Sequence, residues 1–139
     1  MDLSPIVARL RAQLTGFIAV GSAADLDAVG NGVVPAPSCY LVPVGEVAQP
    51  NGIVGGFTQR VEVTFLVVIV SRNLTDTTGA AALAGLETLR QAVKGALVGW
   101  APDAGNGDQV EFVSGDLVRF EQQLMWWADN FKFSTWEKY

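Results

Sequence analysis

Hydrophobic and polar positions change their spacing several times along the chain, and each change predicts an element. Ile6, Val7, Leu10 and Leu14 recur at helical spacing, with Arg9, Arg11 and Gln13 largely elsewhere, which predicts an amphipathic helix over residues 4–14. Ser4 is placed to cap it, Pro5 suits its first position, and Gly16 is a stop signal. Residues 17–37 leave two readings open: Phe17–Val20 is a short strand or an extended link, and Asp25–Val29 a brief strand or a helical turn. Gly30-Asn31-Gly32 signals a turn, and Pro35 and Pro37 keep their neighbours extended. A strand is expected over Cys39–Val44, with Pro43 marking an edge or a strand end. The twelve residues Gly45–Gly56 then read as a loop or flexible hairpin, rich in turn formers such as Pro50 and Asn51-Gly52.

The strongest strand signal runs from Phe57 to Arg72. Val61, Val63 and Phe65 alternate with Arg60, Glu62 and Thr64, the period of a half-exposed strand. From Phe65 to Val70 both faces turn apolar, so that half needs cover on both sides: a helix on one, and a sheet, helix or second subunit on the other. Leu83, Leu86, Leu89 or Arg90, Val93 and Leu97 predict a helix over residues 77–97, capped by Asp76 or its threonine neighbours and closed by Gly99. Gly85 and Gly95 within it mark close packing or simply weaken the helix. Val110–Val113 leads through Ser114-Gly115-Asp116 into Leu117–Phe120, and a second alternating stretch follows from Gln123 to Phe133. The expected architecture is a single α+β domain over residues 1–139: a mixed or antiparallel sheet with two main helices on one face, in the order α-β-β-α-β-β.

Composition narrows the chemistry. Half of the 139 residues are hydrophobic and 17% are charged, and there is no histidine, so no histidine-based nucleophile system or histidine metal ligand exists. Nine basic against fourteen acidic residues leave a net charge of −5, which argues against a sequence-independent grip on nucleic acid. Cys39 is the only cysteine, so no internal disulfide forms, and its apolar surroundings point to an inert buried thiol. Arg9 and Arg11 interrupt the first apolar segment, unlike a signal peptide, and the apolar run Phe65–Val70 is far short of the roughly 20 residues that span a bilayer. Asn73-Leu74-Thr75 fits a glycosylation pattern but reads as a loop in a protein kept in the cytoplasm.

No phosphate-cradling or nucleophile-elbow glycine motif is present. Glu111, Asp116, Glu121 and Asp129 are the candidates for a two-carboxylate hydrolase, against the plainer reading of solvated surface acids. Asp103, Asn106 and Asp108 offer oxygens for calcium, against the plainer reading of a turn. No catalytic residue, metal or cofactor is assigned. Eight of the thirteen aromatic residues lie between Phe112 and Tyr139. Trp126 and Trp127 are consecutive in a strand, so at most one faces the main core and the other is covered by a loop, a helix or another chain.

The strand Val61–Val70, the helix end Leu89–Leu97, Gly99-Trp100-Ala101-Pro102, Gly115-Asp116-Leu117 and the closing Trp127…Phe131 together resemble the tail terminator family of long-tailed phages and prophages, over residues 39–136. The resemblance implies a non-enzymatic assembly protein of the virion tail, put together in the bacterial host cytoplasm. It implies a homohexameric ring on the head-proximal end of the tail tube, which stops tube growth and gives head–tail connector proteins a surface. Its partners would be other copies of itself, the tail tube protein and the connector, with no nucleic-acid specificity and no membrane. A head–tail connector or another minor tail protein is the nearest alternative; a small α+β ligand-binding domain or carboxylate-based enzyme is the alternative of another class. A ring needs two different surfaces on each subunit. Val47, Gln49, Asn51, Ile53 and Val54 of the long loop, Leu66, Val68 and Val70 of the doubly apolar strand, and Trp126, Trp127 and Phe131 are the candidate contact residues.

Overall fold

The computed structural model describes residues 2–29, 32–72, 80–121 and 123–139. Gly30 and Asn31 of the expected turn, the Asn73-Leu74-Thr75 tripeptide and the expected cap at Asp76 lie outside the described residues. The elements are α1 (Ser4–Gln13), β1 (Ala19–Ser22), α2 (Ala23–Val29), β2 (Ser38–Ala48), β3 (Thr58–Arg72), α3 (Ala80–Leu97), β4 (Glu111–Glu121) and β5 (Leu124–Lys138). The five strands form one sheet in the order β1-β2-β3-β5-β4, with β1 parallel to β2 and every other pair antiparallel. This is the expected mixed α+β sheet, with β1 and α2 added in the stretch left open.

The first helix forms where its spacing predicts, but its ends differ in detail. Ser4 is the first helical residue and Leu3 holds the cap position without a side-chain bond, while Asp2 before it accepts from the Ser4 backbone N–H at 2.9 Å and from the hydroxyl at 2.6 Å. Those two bonds hold the Asp2 pKa below its ordinary value. The helix stops at Gln13, before Gly16. α3 ends as expected at Gly99, whose φ of +83° is the left-handed conformation that glycine adopts without penalty. Gly85 and Gly95 face open space, where an added Cβ would meet nothing within 4 Å, so close packing does not explain them.

Both main helices cover one face of the sheet. Ile6 and Leu10 of α1 and Leu86, Val93 and Leu97 of α3 meet Cys39, Val61, Val63, Phe65, Val67, Ile69, Phe131 and Phe133 in one buried cluster. Burying each large side chain there contributes about 1.5–3 kcal/mol. Phe65 stacks on Phe131 with ring centres 5.6 Å apart. Arg9 ties the two helices together by donating from Nε to the Ala96 carbonyl at 2.9 Å, and its guanidinium lies over the Trp100 ring.

The alternate side chains of the same strands make a second cluster on the opposite face: Tyr40, Val68, Val70, Leu124, Trp126 and Ala128. Leu26 and Val29 of α2, with Val34 and Ala36 of the segment after it, pack against this cluster. The doubly apolar half of β3 therefore finds its second cover inside the subunit, from α2 and the segment that follows.

Candidate functional site

The surfaces available to a partner are what the two clusters leave uncovered. One is the outer half of the β2–β3 hairpin. Most of the expected loop is strand: Gly45–Ala48 pairs with Val61–Thr64, and the Gln49 N–H donates to the Arg60 carbonyl, so only the tip lacks ladder pairing. Asn51 organises that tip. Its Oδ1 accepts from the Thr58 N–H at 2.9 Å, and its Nδ2 donates to the carbonyls of Ile53 at 3.0 Å and Gly56 at 3.1 Å. The result is an arm with a built tip, and neither core cluster includes any of residues 44–57. Val44, Val47, Ile53, Val54 and Phe57 are about half exposed or more, with Val54 fully so.

The second surface is β4, the outer strand beside β5. Its pairing to β5 slips at Val113 and again at Val118, one bulged residue each. Register places Phe112, Leu117 and Phe120 on the helix-bearing side of the sheet, opposite Phe131, Trp127 and Met125. Glu111, Ser114 and Asp116 lie on the other side, opposite Lys132, Asn130 and Ala128, as does Arg119, which sits over the Trp126 ring at 4.2 Å. Phe112, Val113, Leu117, Val118 and Phe120 are 37–58% exposed. An outer strand normally carries short length, charge or bulges to discourage edge pairing; this one has charge and two bulges, yet is eleven residues long and apolar on one side.

Behind β4 lies a buried polar cluster. Asp129 on β5 is fully buried and accepts from Arg90 of α3 through Nε at 3.2 and 3.1 Å and through the terminal nitrogen at 2.9 Å. Trp127 Nε1 adds a bond to Asp129 at 2.8 Å, and the Arg90 guanidinium stacks 4.5 Å from the Trp127 ring centre. Arg90 also reaches Glu87 at 3.0 Å. The bonds that Arg90 donates to Asp129 raise its pKa above the ordinary value. Gly115 of β4 passes so close that a Cβ there would lie 2.8 Å from Arg90, 2.9 Å from Trp127 and closer still to Asp129. The cluster anchors α3 to β5 and lets β4 lie flat across it.

The sequence candidates separate accordingly. Val47, Ile53 and Val54 are exposed on the arm, with Gln49 and Asn51 exposed beside them. Val68, Val70 and Trp126 belong to the second cluster, with Leu66 packed against it, and Phe131 is fully buried in the first. In the subunit these five side chains pack inward, four of them buried and Leu66 partly so. Trp127 is half-buried against Arg90 and Asp129. The apolar side of β4 went unnoticed in the sequence, although its consecutive apolar pairs, Phe112-Val113 and Leu117-Val118, are a trace of it.

The carboxylates do not converge. Asp129 is buried towards α3, and Glu121 is 3.5 Å from Arg119. Glu111 and Asp116 share a face but stand opposite Lys132 and Ala128, four positions apart on β5, or roughly 13 Å, beyond the about 5–9.5 Å of paired catalytic carboxyls. Asp103 accepts from Asn106 at 2.9 Å and from Thr135 at 2.6 Å, while Asp108 pairs with Arg60. The calcium candidates are thus divided between two contacts. Among the described residues no three His, Cys, Asp or Glu side chains gather as a metal site, and no helix is long and apolar enough to cross a membrane.

The family model for phage tail terminator proteins matches residues 1–137. The chain belongs to the phage tail terminator family. It is a structural protein of a phage-type tail. The match includes the first 38 residues, which the sequence resemblance above did not cover. No curated protein matches the chain. Among solved structures, a chain from the virion of a native gene transfer agent particle superposes with a TM-score of 0.55 over 95% of this chain and 92% of that one, at 18% identity. At that identity the likeness shows a shared fold.

Proposed function

We propose that this protein is a ring-forming tail terminator subunit without catalytic activity. Six copies join head to tail on the head-proximal end of the tail tube, end its growth and present a surface to the head–tail connector. Its place is the virion tail, and assembly takes place in the bacterial host cytoplasm. One observation carries the reading: a subunit with two complete cores still exposes two unlike apolar surfaces, the arm and the outer strand. A closed ring with a single repeated contact requires two unlike surfaces on each subunit. Family membership supports the tail as the place where they are used.

Absolute mass by light scattering, over a concentration series with and without purified tail tubes, tests this. A particle of about 89 kDa, six times the 14.8 kDa subunit, or saturable binding to one end of the tubes, is the expected result. A protein that stays monomeric and leaves tubes unbound overturns the reading. Because an isolated ring contact must offset the entropy lost on association, assembly on the tube alone still agrees with it.

A further inference from the structure

We infer that the two exposed apolar surfaces are the two halves of one contact: the β2–β3 arm of each subunit lies along the β4 edge of a second copy, on its helix-bearing side. The inference rests on the ring reading above and names which surfaces meet.

Three observations favour a second copy as the occupant. The first is length. Phe112 and Phe120 stand opposite Phe131 and Met125, six positions or roughly 20 Å apart along the strand. The paired part of the arm, from Gly45 to Gln49, spans roughly 13 Å, and the tip beyond it extends the arm to at least a similar length. The second is area. With whole-residue areas of about 150–220 Å2, the five exposed apolar residues of each surface leave roughly 450–550 Å2 uncovered. Joined with every one of them covered, they would bury at most roughly 1,000 Å2 of apolar surface, the apolar share of an interface of ordinary size. The third is charge. Residues 44–57 hold one charged side chain, Glu46, and the charged residues of β4 lie on the side away from Phe112, Leu117 and Phe120. Contact on the helix-bearing side therefore adds little charge from either strand, and the charge it meets there is on α3: Lys94, 4.1 Å over the Phe112 ring, and the paired Arg90 and Glu87. Direct β4-to-β4 pairing would be a two-fold contact, which makes a dimer and cannot propagate around a ring.

Cross-linking with a short bis-maleimide tests the contact on the full chain. Val54→Cys and Val118→Cys are placed separately and together; both sites are exposed, and Cys39 is buried. Circular dichroism checks that each variant folds. In assembled protein the double variant should give a ladder up to six subunits. An equal mixture of the two single variants should stop at dimers, and each single variant alone should give no product. A particle of hexamer mass without arm-to-edge products overturns the inference and leaves the ring standing. Dimers from Val118→Cys alone overturn it in favour of two-fold edge pairing. On tail tubes, a benzophenone maleimide attached to Val118→Cys that photo-links only to the tube protein overturns it and assigns the edge to the tube. Absence of both the hexamer and tube binding removes the ring reading itself, and the inference with it.

Discussion

Asp129 is fully buried and satisfies Arg90 and Trp127 together. Replacing it by alanine leaves the guanidinium with only Glu87 and the Trp127 ring, so Asp129→Ala is expected to lower unfolding stability by about 3 kcal/mol, read from the urea midpoint. Gly115→Ala inserts a Cβ into the same cluster and should destabilise by about 1–3 kcal/mol; a midpoint equal to wild type would show that β4 moves aside freely. Cys39 is fully buried, and burial pushes its thiol pKa from an ordinary value of about 9 up to about 12. The raised value leaves stability intact below pH 9 and removes it as pH rises towards 12. A maleimide should therefore label Cys39 at pH 8 only after unfolding, and Cys39→Ala should flatten that part of the alkaline loss. The inert thiol was legible from its apolar neighbours. The Arg90–Asp129 pair was not, because its two halves are thirty-nine residues apart and only the fold makes them neighbours. Its local trace was a charge standing in an apolar stripe on each element.

Elements with strong periodicity were legible, and elements without it were not. The β3 pattern fixed both faces of the sheet, and its doubly apolar half called for cover on two sides. α2, which supplies part of that cover, has seven residues and buries none of them fully, so no amphipathic stripe announced it. The glycines of α3 were ambiguous in sequence, and the open space around Gly95 settles them. Gly95→Ala should raise stability by about 0.5–1 kcal/mol, since alanine favours the helix and meets no neighbour; a loss on thermal unfolding would show that the position is in fact packed. The arm reads in sequence as a loop or flexible hairpin, and the structure gives the hairpin; its strand pairing was masked because turn formers separate it from its partner strand. Deleting Val47–Val54 should leave circular dichroism close to wild type, because the arm adds nothing to either core, and should abolish ring formation and tail termination. Normal-length infectious tails from the shortened protein would reduce the arm to a connector.

For the whole molecule, four of the five strands could be read from pattern, with β1 left open as a strand or a link, but their lateral order could not. Whether a strand is central or outermost depends on pairings across the chain, so the exposure of β4 became visible only once β5 stood between it and β3. Charge and contact then oppose each other in the assembly. Every subunit brings a net charge of −5, so copies repel at low salt, while the surfaces proposed to join are apolar. Raising sodium chloride should therefore favour the hexamer, and sulfate should favour it further. Dissociation on raising salt, followed by sedimentation, would point to an interface held by ion pairs instead.

The strand order also sets a timetable for making the subunit. β5 follows β4 in the chain yet lies between β4 and β3, pairing with β3 along all fifteen of its residues. While synthesis has reached only Glu121, β4 has no neighbour to hold it, and the first core lacks Phe131 and Phe133. A nascent chain thus carries an arm long before it carries an edge able to receive one. Any arm-to-edge joining of the kind proposed would wait until β5 has entered the middle of the sheet, and so would be closed to half-made subunits.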